Sequence, residues 1–306
     1  MSKPKIVYLI GTSHCGSTLL SVILGAHQKV ECVGELKFLP SYWDRGEDCT
    51  CKNEIKECPF WMNVVKGLSQ IGNGLNSTTI PRWTLTKIFL AIIFAINPRT
   101  IWTKGEIDAF AISNLSLYSS ITKVSKKPVV LDSSKSIFRA FLLWLSNRFD
   151  IKLIYVNRDG KSYLASKKRR EKSKRSFNIL KYLGYYFKDK YMHMRFLIWL
   201  PKKNLLPISY YDLTVNCEET LSRILEFTEL PNQMNIIGKT DENENFSFTK
   251  EINHDIGGNG VRLRQEVDIM YKDNWKSDLN LYERIIFAVL GGNIVDYLVK
   301  SLLRLN

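Results

Sequence analysis

The sequence predicts an α/β fold of the phosphate-loop type, three layers deep, with a central parallel sheet flanked by helices. Two patterns predict it. The apolar run Lys5-Ile-Val-Tyr-Leu-Ile10 leads directly into Gly11-Thr-Ser-His-Cys-Gly16 and then an apolar helical segment, and later strand-like runs alternate with helical ones. The chain has 306 residues, enough for one large domain spanning 1–306 with a sizeable core.

The first unit carries the strongest chemical signal. A short β-branched run reads as a buried strand, and Ser17-Thr-Leu-Leu-Ser-Val-Ile-Leu24, stopped by Gly25, reads as a buried helix. A glycine-rich turn between such elements presents backbone N–H groups and the positive end of a helix dipole to an anion. Ser13, His14, Cys15, Gly16, Ser17 and Thr18 are therefore candidate phosphate contacts. Ser17 stands where a nucleotide kinase carries lysine, which disfavours magnesium-dependent ATP or GTP chemistry and leaves a nucleotide with a single 5′-phosphoryl group as the expected guest.

Val30-Glu-Cys-Val-Gly-Glu35 returns toward the sheet, and residues 39–127 read as a mainly helical insertion on the acceptor side of the cleft. Within it, Cys49, Cys51 and Cys58 are close in sequence, but tetrahedral zinc wants four ligands and the nearest other sulfur is Cys32. The expectation is a compact loop packed around Phe60 and Trp61, with its thiols reduced or in a local disulfide, and a zinc site is the lesser alternative. The apolar stretch Ile88–Ile96 falls short of the ~20 residues that span a bilayer, so it is expected to be a buried or interfacial helix. With Trp83 and Trp102 it leaves peripheral membrane contact as a minor alternative.

The sheet pattern resumes at Pro128-Val-Val-Leu-Asp132 and Lys152-Leu-Ile-Tyr-Val156, with the amphipathic stretch Ile137–Arg148 between them, which makes a βαβ unit. Arg158 leaves the end of the second of these strands, where open α/β sheets bind ligands, and Ser166 lies two helical turns further on. The basic run Lys167–Arg175 is expected to be mostly a solvated helix face. Leu205–Tyr210 is a further strand, helices are expected over Glu218–Phe227 and Leu281–Leu303, and Gly257-Gly258-Asn259-Gly260 is a second glycine-rich turn.

Forty-four basic residues against thirty acidic ones give a formal charge of +14, which indicates anionic company. Neither stacking platforms nor recognised nucleic-acid motifs surround the basic helix, so nucleic acid is not an expected partner. The N-terminus runs at once into the first strand, so no cleavable signal is expected and a cytoplasmic location follows.

Taken together, these residues resemble the sulfotransferases that use 3′-phosphoadenosine 5′-phosphosulfate (PAPS), chiefly of bacterial type. Gly11–Leu20 is similar to the family's 5′-phosphosulfate loop, and Arg158 followed eight residues later by Ser166 is similar to its 3′-phosphate motif. Ala26–Glu35 resembles the segment that supplies the catalytic glutamate in tyrosylprotein sulfotransferases. Val130–Lys135 resembles a bacterial D-S-S-K element, Ser209–Leu213 an R-Y-E-D-L strand end, and His254–Arg262 the C-terminal H-x-x-x-G-N-x-x-R segment. The cysteine pattern with Cys58-Pro-Phe-Trp61 also recurs among such enzymes. His14 departs from the family's Lys or Arg, and Ser209 from its Arg.

The resemblance implies PAPS as co-substrate, 3′-phosphoadenosine 5′-phosphate (PAP) as product, and no required metal. It implies Glu35 as general base, with His14 and Lys135 stabilising the departing 5′-phosphate. Arg158, Ser166 and Arg262 are implied to hold the 3′-phosphate, with Gly258 and Asn259 alongside, and Tyr210 to lie near adenine. The expected acceptor is a hydroxyl or amine of a small molecule or glycan. A nucleotide or metabolite kinase, and a non-catalytic nucleotide binder with a basic interaction helix, are the competing readings.

Overall fold

A computed structural model describes residues 3–70, 74–82, 98–171, 177–232, 253–264, 266–271 and 274–305, the isolated positions 72, 84 and 87, and the short strands at 238–239 and 246–249. The expected apolar stretch Ile88–Ile96 and Trp83 lie outside the described residues, as do positions 172–176 of the basic run.

Strands β1 (Lys5–Gly11), β2 (Val30–Gly34), β3 (Val129–Lys135), β4 (Asp150–Asn157) and β5 (Leu205–Ser209) form one sheet in the order β2-β3-β1-β4-β5. Every pairing in it is parallel. Successive side chains of a strand point to opposite faces, and β1 shows the consequence. Ile6, Tyr8 and Ile10 pack into one cluster, while Val7 and Leu9 pack into another with Leu20, Ile23, Leu213 and Ile224. Complete burial of a side chain of this size contributes roughly 1.5–3 kcal/mol, which explains why β1 carries no polar residue between its ends.

The crossovers are helical, as a parallel sheet requires. They are α1 (Ser17–Gly25), α2 (Leu39–Arg45), α3 (Pro59–Gln70), α4 (Lys104–Ser125), α5 (Ile137–Leu145), α6 (Gly160–Glu171) and α7 (Ile179–Leu197). After β5 come α8 (Tyr210–Val215) and α9 (Cys217–Thr228), then a small antiparallel sheet of β6 (Gly238–Lys239), β7 (Phe246–Thr249) and β8 (Glu266–Ile269). The chain closes with α10 (Trp275–Asp278), α11 (Leu281–Val289) and α12 (Gly292–Leu303).

Two expectations are corrected. The helix expected over Leu281–Leu303 is two helices, bent by 60° at Gly291, whose φ of 86° places it in the left-handed region. Trp102 is not a membrane-facing ring: it is buried, with Phe138 and Phe196 at centroid distances of 6.4 and 6.3 Å. Among the described residues, no single helix is long and apolar enough to cross a membrane. Within residues 39–127 the longest described elements are the helices α2, α3 and α4, while 46–58 is a loop with isolated β-bridges, and Trp61, Val64, Leu117 and Tyr118 pack into the same cluster as Ile6 and Tyr8.

Candidate active site

The strand ends at the carboxyl edge of the sheet each deliver one element of the site. Gly11 opens the phosphate loop after β1, Glu35 follows β2, Lys135 ends β3, Arg158 follows β4 and Tyr210 follows β5. The strand order reverses about β1, and that reversal is where an open parallel sheet leaves a crevice.

The loop itself is built by backbone conformation. His14 has φ 63° and Gly16 φ 101°, and a Cβ on Gly16 would stand 2.5 Å from the Tyr210 ring, so only glycine fits. No side chain caps the start of α1 and its first turn holds no acidic residue, which leaves the positive helix end available to an anion.

Cations surround this end. The His14 imidazole is pushed down to about 4, first by burial and then by Lys167, Arg170, Arg158 and Lys135. His14 is therefore neutral at pH 7, chiefly because it is buried and further because basic side chains surround it. Arg158 donates from Nη1 to the His14 carbonyl at 2.7 Å, and its guanidinium lies 4.3 Å over the Tyr210 ring. Tyr210 is thus wedged between Gly16 and Arg158. Buried Thr12 Oγ1 and Arg158 Nε have no partner among the described residues, as expected of a site that completes its hydrogen bonds with a ligand.

On the opposite side, Glu35 and Lys135 form an ion pair, both largely shielded from solvent. The carboxylate neither caps the short helical turn that follows it nor pairs with Lys37. A Cβ on Gly258 would be 3.4 Å from Thr18 Oγ1 and 3.7 Å from Glu35 Oε1, so the second glycine-rich turn closes over both. Gly258 and Asn259 are exposed there, and Asn259 Oδ1 accepts from Val261 N at 3.3 Å.

Lys135 is aimed by a buried network behind it. Asp132 accepts from Ser134 N at 2.9 Å, Tyr118 Oη at 2.6 Å and Arg139 Nε at 3.2 Å. Arg139 also donates to Thr78 O at 2.8 Å and Asn114 Oδ1 at 2.6 Å. Ser134 Oγ in turn accepts from Lys37 N at 3.0 Å, which joins the β3 end to the segment after Glu35.

Arg262 is tied to the loop before Cys49: its guanidinium donates to Asp48 O at 3.0 Å, Asp255 O at 3.2 Å and Glu47 Oε1 at 3.3 Å. Carbonyls and a carboxylate draw a buried guanidinium strongly, and no sequence spacing signals that preference. Ser166 sits half-buried on α6, with no hydrogen bond to Arg158 among the described residues. Ser209, in place of the expected arginine, caps α8 by accepting from Asp212 N at 2.9 Å.

Lys190 was not singled out by the sequence, because a lone lysine carries no local signal of burial. It is fully buried on α7, donating to Asn157 Oδ1 and, at 3.3 Å, to Arg158 O. Burial pushes its ammonium down to about 8. Nearby His193 is pushed down to about 3 by burial and then by Lys190 and Lys37. The unfolded chain binds a proton at such a histidine near pH 6.5, the native chain only near 3, so stability is lost as pH falls through that window. Urea unfolding from pH 7 to 4 should show this loss, and His193→Gln should flatten it; an unchanged slope would remove His193 as its source.

No family model and no curated protein matches the sequence. Among solved structures, the chain is similar to the sulfotransferase domain from the curacin biosynthetic pathway, with TM-score 0.51 and 15% identity over 95% of this chain and 99% of that chain. It is also similar to the sulfotransferase domain of the Synechococcus PCC 7002 olefin synthase, with TM-score 0.41 and 16% identity over 76% of each chain. A sulfotransferase from Mycobacterium tuberculosis H37Rv gives TM-score 0.43 and 11% identity over 75% of this chain and 68% of that chain. Across nearly its whole length, then, the chain has the fold of the curacin-pathway sulfotransferase domain.

Proposed function

We propose that this protein is a sulfotransferase that moves a sulfuryl group from PAPS to a hydroxyl or amine of a small molecule or glycan. One observation carries the reading: Glu35, paired with Lys135, and Thr18 at the start of α1 both border Gly258, while Arg158 is held against the same loop through the His14 carbonyl. In-line displacement at sulfur needs a base for the acceptor proton on one side and cations for the departing phosphate on the other.

In this reading Glu35 accepts the acceptor's proton as the new oxygen–sulfur or nitrogen–sulfur bond forms. The bond from sulfur to the 5′-phosphate oxygen breaks, and its electron pair stays on that oxygen. Lys135 and the backbone N–H groups of residues 15–18 neutralise the charge that develops there. Neutral His14 can still donate a hydrogen bond. Arg158, with Ser166 on the adjoining helix, accounts for selection of a 3′-phosphate. Residues 39–127 supply the acceptor side, and at its border, three residues after Glu35, the 43% exposed ring of Phe38 packs edge-on against that of Tyr42.

A binding comparison tests the nucleotide assignment. PAP is expected to bind at least roughly tenfold more tightly than 5′-AMP, the contribution of one charge-assisted hydrogen bond, and Arg158→Ala should remove most of that preference. Calorimetric titration showing equal affinity for the two nucleotides would overturn the proposal.

A further inference from the structure

Cys49, Cys51 and Cys58 meet a fourth ligating side chain in the fold, and it is not Cys32. Cys32 Sγ lies 2.8 Å from Ser21 Oγ and 3.5 Å from Asp255 Oδ2, on the strand side of the loop. The fourth group is His254, 196 positions beyond Cys58. The three thiol sulfurs and one imidazole nitrogen all lie within 4.8 Å of one another.

Their spacing matches a tetrahedron about one ion. Zinc–sulfur bonds of about 2.3 Å and zinc–nitrogen bonds of about 2.0–2.1 Å give sulfur–sulfur edges near 3.8 Å and sulfur–nitrogen edges near 3.6 Å. The observed separations are 3.5 Å for Cys51–Cys58, 3.8 Å for Cys58–Cys49, 3.7 Å for Cys49–His254 Nδ1 and 3.3 Å for Cys58–His254 Nδ1. All six cysteines of the chain are unbridged.

The surroundings hold the ligands in this arrangement. The His254 ring stacks on Phe60 at 4.4 Å with an interplanar angle of 2°. Its backbone N–H donates to Glu31 Oε1 at 3.2 Å, and its carbonyl accepts from Trp61 Nε1 at 3.0 Å. Cys49 is bridged to Ile256, and Thr50 N donates to Asp255 O at 3.2 Å. Arg262 completes this clamp through Asp48, Asp255 and Glu47.

We infer that Cys49, Cys51, Cys58 and His254 form a structural zinc site. Three thiolates and an imidazole, two of them buried and two half-buried, fill a tetrahedral set of four and suit zinc in a structural role. The ion ties the insertion to the segment that leads into Gly257 and Gly258, and Glu35 N donates to Ile256 O at 2.9 Å on that same segment. The zinc thereby anchors the turn that closes over Glu35 and Thr18. The site stands whether or not the chain transfers sulfuryl groups.

The full chain purified from zinc-supplemented medium without chelators should carry about one zinc per chain by elemental analysis. Refolding with Co²⁺ in place of zinc should give the intense visible bands of tetrahedral thiolate coordination. Cys58→Ser and His254→Ala should lose the metal, whereas Cys217→Ser, on α9, should keep it. If either ligand variant fails to fold, the cobalt spectrum of the unaltered chain decides. Absence of both zinc and cobalt bands in the unaltered chain, a Cys51–Cys58 disulfide seen as the loss of two hydrogens by mass, or undiminished zinc in both folded ligand variants would each overturn the assignment.

Discussion

Glu35→Gln is expected to reduce PAPS-dependent transfer by roughly 10²–10⁴-fold, the range typical when a general base is lost, while PAP affinity stays unchanged. The substitution keeps the shape of the side chain and removes the group that takes the acceptor's proton. The phosphate loop, Arg158 and the start of α1 are untouched, so the nucleotide should still seat. Single-turnover transfer to the best acceptor from a mass-gain screen measures the first effect, and PAP titration the second. Full activity in the variant would take Glu35 out of the chemistry. A matching collapse of PAP affinity would instead make the Glu35–Lys135 pair a positioning device for the loop.

Arg139→Met should be the most destabilising of the substitutions considered, at about 3–5 kcal/mol. Asp132 and Arg139 are both completely inaccessible to solvent, and the guanidinium also satisfies Thr78 O and Asn114 Oδ1. Methionine fills much of the space but leaves a buried carboxylate with only Tyr118 and Ser134 as donors. Removing the charge as well, in Asp132→Asn/Arg139→Met, should cost less than the two single losses added together, because the penalty lies chiefly in the uncompensated ion. Urea denaturation of the single and double variants measures both quantities. An Arg139→Met protein within about 1 kcal/mol of the original would show that the network is not a strong determinant of stability.

The framework was legible because its signals are local. Lys5–Ile10, Pro128–Asp132, Lys152–Val156 and Leu205–Tyr210 each announce a buried strand by composition, and each is found within a few residues of its expected bounds. Gly11 and Gly16 announced the loop for the same reason: Gly16 sits at φ 101°, where few residues but glycine are at ease, and a Cβ on Gly11 would stand 2.6 Å from Cys15 Sγ and 2.7 Å from Val156 O. Glu35, Lys135, Arg158 and Tyr210 follow or end strands, so once the strands are parallel they must emerge at one edge.

What stayed hidden depends on distant pairings. Lys190 looks like a solvent residue until α7 packs it beneath Asn157 and Arg158. Nothing near Arg262 in the sequence announces the contacts that the fold gives it with Asp48, Asp255 and Glu47. The three cysteines look one ligand short because the fourth arrives from the far end of the chain.

By itself, then, the amino-acid order determined the strands, the glycine-rich turn and the edge on which the candidate site residues gather, because hydrophobic period and glycine conformation act over a few residues. Only the tertiary structure decided which charges are buried, which arginine faces the loop and which imidazole joins the thiols. Those outcomes depend on desolvation and on the partners within about 4 Å, and such neighbours are set by packing between segments far apart in the chain.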